Sequence, residues 1–194
     1  MGELNSVAEN DIQRCLEVLR KGGVILYPTD TIWGLGCDAR NENAVARIYD
    51  IKRRSDTKSL IVLVDNENML LKHVSEVPAV AWDLIEYSER PLTIIYEKAF
   101  HLAENVIAQD GSAGIRIAKD DFCRKLIHKF GRPIVSTSAN ISGAPAPTDF
   151  SSISADIIQS VDYVVQHRQH ETKKNQPSAV IQLKNNGEIK IIRK

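Results

Sequence analysis

The chain has few cysteines, and none of them is spaced for pairing or for binding a metal. Cys15, Cys37 and Cys123 are odd in number and widely separated, without a C-x-x-C motif. We therefore expect neither a disulfide framework nor a zinc site, and free thiols are typical of a reducing compartment. No apolar run approaches the length of a transmembrane helix, and the first residues are too charged for a secretory signal. These absences predict a cytoplasmic protein.

The chain also lacks an excess of charge of either sign. Among its 194 residues, 25 are Lys or Arg and 25 are Asp or Glu, so the formal net charge is zero. No global field therefore attracts the protein to nucleic acid or to a membrane, and any anion site must be local. The length and the hydrophobic content of 43% predict one globular domain over residues 1–194.

Several common motifs for catalysis and nucleotide binding are missing. The sequence has no G-x-x-x-x-G-K-[ST] phosphate loop, no G-x-G-x-x-G, no G-x-S-x-G and no H-E-x-x-H. His167 and His170 lie three residues apart in a polar stretch, which does not indicate a metal site, and we expect no metal bound by protein ligands. Any nucleotide site must therefore be built without a Walker loop.

Hydrophobic patterns predict an α/β fold. A continuous apolar run at 59–64 is typical of a strand covered on both faces, and Asn185-Asn186-Gly187 predicts a hairpin between the last two strands. Because helices and strands mix in irregular order, we expect a twisted, mixed parallel and antiparallel sheet flanked by helices. Residues 167–176 are expected to form an exposed loop. Helices are predicted at 10–21, 43–53, 78–87, 120–130 and 153–160, and strands at 24–27, 59–64, 92–96, 114–118, 133–140, 161–165, 179–183 and 188–192.

The segment PTDTIWGLG, residues 28–36, directly follows the strand predicted at 24–27. A turn needs one or two residues such as Pro, Asp or Gly, and this segment has more small hydroxyls and glycines than that. It is therefore either a long surface connection or a segment whose backbone and hydroxyl groups hold a small ligand.

Three further places carry polar side chains that suit a binding site. Residues 52–58 hold four cations, which either complement a helix C-terminus or form an anion site. Residues 136–140 place hydroxyls and an amide after a buried strand, where they bind a ligand or make local turn bonds. Arg116 stands between Ile115 and Ile117 in a predicted strand, so it faces away from them, toward a cleft or toward solvent.

Taken in order, these segments resemble the L-threonylcarbamoyl-adenylate synthases, the YrdC-like domain proteins. The resemblance rests on GGVILYPTDTIWGLGCDA, on K-x-R with a following lysine, on GIR at 114–116, on STSANISGAPAPT at 136–148 and on PSAV at 177–180. It implies a single YrdC-like domain with a twisted mixed sheet and a basic concave surface. It also implies a nucleotidyltransferase that makes threonylcarbamoyl-AMP and pyrophosphate from ATP, L-threonine and bicarbonate, for the t6A modification next to the tRNA anticodon.

The resemblance also implies roles for particular residues. The catalytic set would be Lys52, Arg54, Ser138 and Asn140. Contacts to ATP would come from Arg54, Lys58, Ser112, Asn140 and Thr148, with Mg²⁺ accompanying the nucleotide. Contacts to threonine would come from Thr31, Arg116, Ser138 and Ser178, with Trp33 shaping the pocket. The implied partners are downstream threonylcarbamoyl transferase proteins of the TsaD, TsaB and TsaE kind, and tRNA.

Four positions depart from the usual pattern, and three alternatives stay open. Ser55 and Ala118 stand where the family has proline, Ala179 where it has threonine, and Trp33 where tyrosine is common. The alternatives are a YciO-type paralogue that works poorly on threonine, a module that binds tRNA or double-stranded RNA, and a carbamoyl-transfer domain like that of hydrogenase maturation proteins. Those last proteins are larger and carry zinc-finger and acylphosphatase modules.

Overall fold

The computed structural model describes residues 2–53, 60–172 and 176–194. No helix in these ranges is both long enough and apolar enough to cross a membrane. The helices are α1 (Gly2–Arg20), α2 (Glu42–Ile51), α3 (Glu67–Leu71), α4 (Ala79–Tyr87), α5 (Asp121–Phe130) and α6 (Ala155–Ser160). The strands are β1 (Ile25–Tyr27), β2 (Gly34–Gly36), β3 (Ile61–Val64), β4 (Leu92–Tyr96), β5 (Ala113–Ile117), β6 (Ile134–Ser138), β7 (Tyr163–Val164), β8 (Ala179–Leu183) and β9 (Ile189–Arg193).

The strands form one mixed sheet in the order β7-β1-β2-β6-β3-β5-β4-β8-β9. Three neighbouring pairs are parallel, namely β1 with β7, β3 with β5, and β4 with β8, and the other pairs are antiparallel. The predicted mixed α/β sheet is therefore confirmed, and so is the hairpin of β8 and β9. β3 lies between β5 and β6, and its continuous apolar run is explained by burial on both faces, since Val62, Leu63 and Val64 are all fully buried.

The sequence-based description differs from the structure in three places. No strand was predicted at β2, yet Gly34–Gly36 is held as a strand between β1 and β6, although glycine is a poor strand former. The five-residue α3 was missed because it is too short for helical periodicity to show, although Asn66 caps it by accepting from the Met69 amide. The stretch after residue 167 is not fully exposed, since Arg168 is only 17% exposed and pairs with Asp120 and Glu171.

One face of the sheet packs against the hydrophobic core. Val62, Ile115 and Val135 are cross-strand neighbours in β3, β5 and β6, and all three are buried. Helix α5 packs on this core with its predicted boundaries, capped by Asp120 at its start and by Gly131 at φ +72 at its end. Because side chains alternate along a strand, the residues between these three face the opposite side of the sheet.

The three cysteines all belong to the core. Each is buried and unpaired. Burial raises the pKa of all three thiols, so they stay protonated at neutral pH and do not act as nucleophiles.

Close packing at β2 predicts that Gly36 cannot carry a side chain. A Cβ atom there would lie 2.6 Å from Tyr27 Cε1 and 3.0 Å from the Val135 carbonyl oxygen, which is fixed in the sheet. We expect Gly36→Ala to lower the free energy of unfolding in urea by about 1–3 kcal/mol. Gly114→Ala is the matched control, because its nearest neighbour would be Thr93 Cγ2 at 3.4 Å, an ordinary contact. Equal losses in the two variants would contradict this account of β2.

Candidate active site

The sheet face opposite the core forms the floor of a cavity of about 670 Å³, here called the sheet cavity. Ser136, Ile61, Gly114 and Ile95 cross four adjacent strands in one row and make up this floor. The volume lies within the range of roughly 300–1,000 Å³ that is typical of small-ligand sites. The polar residues that line it are Thr31, Thr93, Arg116, Ser136, Thr137, Ser138, Ser178 and Arg193.

Arg116 is the buried cation of the sheet cavity, with a side chain only 3% exposed. Its Nη2 lies 3.0 Å from Asp30 Oδ1 and donates to Thr31 Oγ1 at 3.4 Å. The contact with Asp30 is an ion pair without hydrogen-bond geometry, so Arg116 Nε and Asp30 Oδ1 both lack a hydrogen-bond partner within the described residues. Arg116 therefore faces the cavity rather than solvent, and it keeps a buried donor that suits an anionic ligand.

The PTDT segment folds back on itself instead of running over the surface. Thr29 Oγ1 accepts from the Thr31 amide at 3.0 Å and donates to the Ile32 carbonyl at 2.8 Å. Since a hydroxyl has one hydrogen, the 2.9 Å contact between the two threonine hydroxyls must be donated by Thr31. The Thr31 oxygen then accepts from Arg116, and the hydrogen-bonded turn fixes Thr31 at the cavity wall.

Trp33 does not line the sheet cavity, although Ile32 and Gly34 on either side of it do. Its ring is buried and packs against Phe150, with 4.9 Å between the ring centroids. Trp33 therefore does not contact the sheet cavity itself, and the expectation that it shapes the pocket stays a prediction. The alternating direction of side chains along this extended segment turns the indole into the core, where it supports residues 148–152.

Ser178 and Arg193 form the far wall of the sheet cavity. Ser178 is buried, and its hydroxyl lies 2.9 Å from Thr93 Oγ1. Arg193 donates to the Ser178 carbonyl at 2.9 Å and to its hydroxyl at 3.2 Å. Burial, and then the charge of Arg116, lower the pKa of Arg193, and both guanidinium groups line the sheet cavity. Arg193 was not predicted as a site residue, because nothing in the segment IIRK at 191–194 distinguishes it from an ordinary exposed arginine in an edge strand.

Lys52 does not line the sheet cavity, and its ammonium bonds to backbone groups of the protein. It is only 3% exposed, and its Nζ donates to the carbonyl oxygens of Ser138 at 2.6 Å and Asn140 at 2.8 Å. The Ser142 amide donates back to the Lys52 carbonyl at 2.9 Å. The ammonium thus joins the end of α2 to the last residue of β6 and the loop after it. The expectation that it also offsets phosphate charge stays a prediction.

Asn140 and Thr148 line a neighbouring cavity of about 440 Å³, here called the loop cavity. Ala146 lines both cavities, so the two are adjacent. Ser112 lines neither of them; hydrogen bonds from its hydroxyl and amide to Asp110 lower the pKa of that carboxyl group. Four of the expected site residues therefore share the sheet cavity (Thr31, Arg116, Ser138 and Ser178), and two share the loop cavity.

Arg54 and Lys58, expected at the ATP site, lie outside the described residues, as does Ser55.

The bonds of Lys52 predict a large effect of its removal on stability. Lys52→Met keeps the length of the side chain but leaves two carbonyl groups without their charged donor, so we expect the free energy of unfolding to fall by about 2–4 kcal/mol. Urea denaturation measures this loss, and amide hydrogen exchange at 138–144 should become faster. Lys125→Met, on the exposed face of α5, should change neither quantity. A Lys52 variant as stable as the Lys125 variant would show that the contacts carry no such weight.

Comparison with known proteins gives consistent results. Residues 17–194 match the Sua5/YciO/YrdC family, which is described as telomere recombination. The chain is 34% identical over 158 residues to the threonylcarbamoyl-AMP synthase of Xanthomonas euvesicatoria, covering 80% of this chain and 84% of that protein. It is also 34% identical over 194 residues to a putative threonylcarbamoyl-AMP synthase of Methanocaldococcus jannaschii, covering 97% and 88%.

Solved structures agree in fold. P. abyssi Sua5 complexed with L-threonine has a TM-score of 0.77 at 29% identity, covering 89% of this chain. This chain spans 50% of that protein's length. E. coli YciO has a TM-score of 0.81 at 25% identity, covering 94% of this chain and 88% of that one. The resemblance seen in the sequence is confirmed: the chain belongs to the Sua5/YciO/YrdC family.

Proposed function

We propose that the protein is a threonylcarbamoyl-AMP synthase, which joins L-threonine, bicarbonate and ATP and releases pyrophosphate. The observation that carries the proposal is the sheet cavity, where Arg116 is buried with an unpaired Nε among hydroxyl groups. Relatives named for this reaction and a neighbour solved with L-threonine support it. A cavity with fixed cations and hydroxyls suits an amino acid that carries a carboxylate and a hydroxyl.

In this proposal the sheet cavity binds threonine. Arg116 would hold the carboxylate, because Arg116 and Arg193 both line the cavity with a positive charge and Asp30 balances only one of them. The hydroxyl groups of Thr31, Ser138 and Ser178 would bind the remaining polar groups of the substrate. The hydrogen bonds that already fix Thr31 and Ser178 would keep these groups in place before the substrate arrives.

ATP would occupy the adjacent loop cavity, where Asn140 and Thr148 lie, with its phosphates directed toward the sheet cavity across Ala146. Arg54, Lys58 and Ser112 remain proposed ATP contacts. Magnesium would arrive bound to the phosphates, as part of the substrate.

The chemistry needs no protein nucleophile. The threonine amine and bicarbonate form a carbamate with loss of water, and a carbamate oxygen then attacks the α-phosphorus of ATP. The new P–O bond forms as the bond to the β-phosphate oxygen breaks, and pyrophosphate leaves with the electron pair. The protein's task is to orient two anionic reactants and to stabilise the charge of the transition state. Neither Cys37 nor any other thiol has to take part.

The product would pass to threonylcarbamoyl transferase proteins of the TsaD, TsaB and TsaE kind, which would transfer the group to tRNA. The three unpaired, buried cysteines support placing this reaction in the reducing cytoplasm. A second candidate is a YciO-type protein, which the 0.81 TM-score with E. coli YciO supports. The two readings differ in whether ATP use depends on threonine.

The test is pyrophosphate release from MgATP, with threonine and bicarbonate each present or omitted. We expect release to require both. Release that is absent, or indifferent to threonine, would overturn the synthase proposal and favour the YciO-type reading.

A variant of Arg116 tests the proposed threonine contact. Loss of a charge-assisted hydrogen bond costs about 1.5–3 kcal/mol, so Arg116→Gln should raise the KM for threonine by about tenfold or more. The KM for ATP should change much less, because the loop cavity is separate. Arg124→Gln, on the exposed face of α5, is the control and should alter neither constant. An unchanged KM for threonine in the Arg116 variant would remove this residue from substrate binding.

A further inference from the structure

A third large cavity, of about 690 Å³, lies at the other end of β6 from Ser138; we call it the basic cavity. Pro133, which precedes β6, lines it. Ser138 lies five positions after Pro133 in extended chain, which corresponds to roughly 17 Å between the two residues. The basic cavity is therefore about that far from the edge of the sheet cavity at Ser138. Its lining consists of Arg40, Met69, Lys72, His73, His101, Leu102, Gly131 and Pro133.

The lining carries four basic side chains and no acidic one. The neighbouring carboxylate of Asp38 is already engaged, since it accepts from Arg132 at 2.9 Å and from the Arg40 amide at 2.9 Å. Within the described residues, the side chains of Arg40 and Lys72 make no ion pair. Lys72 caps the end of α3, so the helix dipole accounts for one of these charges. His101 also contacts this helix end, through the Lys72 carbonyl, whereas Arg40 lies on another segment and the helix end does not explain it.

Two histidine rings line the basic cavity, and a hydrogen bond from one nitrogen holds each ring in place. A carbonyl only accepts, so His73 Nδ1 donates to the Phe100 carbonyl at 3.2 Å and His101 Nδ1 donates to the Lys72 carbonyl at 3.2 Å. Nε2 is therefore the remaining nitrogen of each ring. His101 adopts a left-handed backbone with φ +56, a conformation that costs free energy for a residue other than glycine.

The cations of the basic cavity repel one another. Burial, and then the charges of His101, Arg40 and Lys72, lower the pKa of His73. A bound anion would reverse this repulsion and accept hydrogen bonds from the same side chains. Met69, Leu102 and Pro133 add an apolar part to the lining, which suits a ligand that carries a sugar or a base beside its charge.

From these observations we propose that the basic cavity is a second anion site, which binds the phosphate group of a phosphate-bearing ligand. Arg40 and Lys72 supply the charge and the hydrogen-bond donors. The Nε2 atoms of His73 and His101 would donate as well once a bound anion favours the protonated imidazolium form of each ring. The phosphate comes either from a small polyphosphate or from the backbone of RNA, and the two sources share this chemistry. The site is separate from the residues proposed for threonine and ATP.

Nuclear magnetic resonance tests the site directly, through the assigned C2–H signals of His73 and His101. Sodium pyrophosphate at constant ionic strength is one titrant and an unmodified tRNA transcript is the other. We expect saturable shifts of both signals, and the titrant that causes them identifies the source of the phosphate. The measurement needs no turnover, so it is independent of the proposed synthase activity. Absence of shifts with both titrants would overturn the site.

The double variant Arg40→Gln/Lys72→Gln should weaken the binding seen at these histidines by at least tenfold. Its matched control is Arg124→Gln/Lys125→Gln, which removes the same two charges from the exposed face of α5 and should bind like the parent protein. Undiminished shifts in the double variant, or an equal loss in the control, would contradict the proposal. Amide spectra of both variants that match the parent separate loss of binding from loss of the fold, and Lys72→Gln alone serves if the double variant fails to fold.

Discussion

A single buried cation organises the candidate active site. Arg116 stands in a central strand with almost no exposure, and removing such a charge from water costs several kcal/mol unless partners compensate. Asp30 and Thr31 supply part of that compensation, and they reach the guanidinium only because the PTDT turn folds back toward the sheet. The position of this turn and the register of β5 therefore depend on each other. Within the described residues, Arg116 Nε has no hydrogen-bond partner, so its buried charge is not fully compensated, and a bound anion would complete the compensation.

A second buried cation, Lys52, meets the same physical problem in a different way. Its ammonium donates to the carbonyl oxygens of Ser138, the last residue of β6, and of Asn140 in the loop that follows, so its charge fixes this backbone. The same segment presents Ser138 to the sheet cavity and Asn140 to the loop cavity. In the proposed function Arg116 binds the substrate, whereas Lys52 holds the backbone between the two cavities. A sequence alone does not distinguish Arg116 from Lys52 in this respect, because each is simply a basic residue in a strand or at a helix end.

Local signals made much of this fold predictable. The caps of α5, the turn between β8 and β9 and the alternation that turns Arg116 away from Ile115 and Ile117 depend on neighbouring residues alone, and the structure has all of them. The strand at Gly34–Gly36 was not predictable, because it exists only through pairing on both sides. The role of Lys52 and the presence of Arg193 in the sheet cavity depend on contacts between residues far apart in sequence. The basic cavity combines four separate segments, none of which stands out alone.

The proposed synthesis of threonylcarbamoyl-AMP is tested most directly by following the carbon of bicarbonate. The protein is incubated with MgATP, ¹³C-labelled bicarbonate and either L-threonine or L-threoninamide, which lacks the carboxylate, and the adenylates are measured by mass spectrometry. We predict a labelled threonylcarbamoyl-AMP with L-threonine and much less labelled adduct with the amide, because Arg116 would have no anion to bind. Pyrophosphate without a labelled adduct, or equal labelling from both compounds, would contradict the role given to the buried arginine.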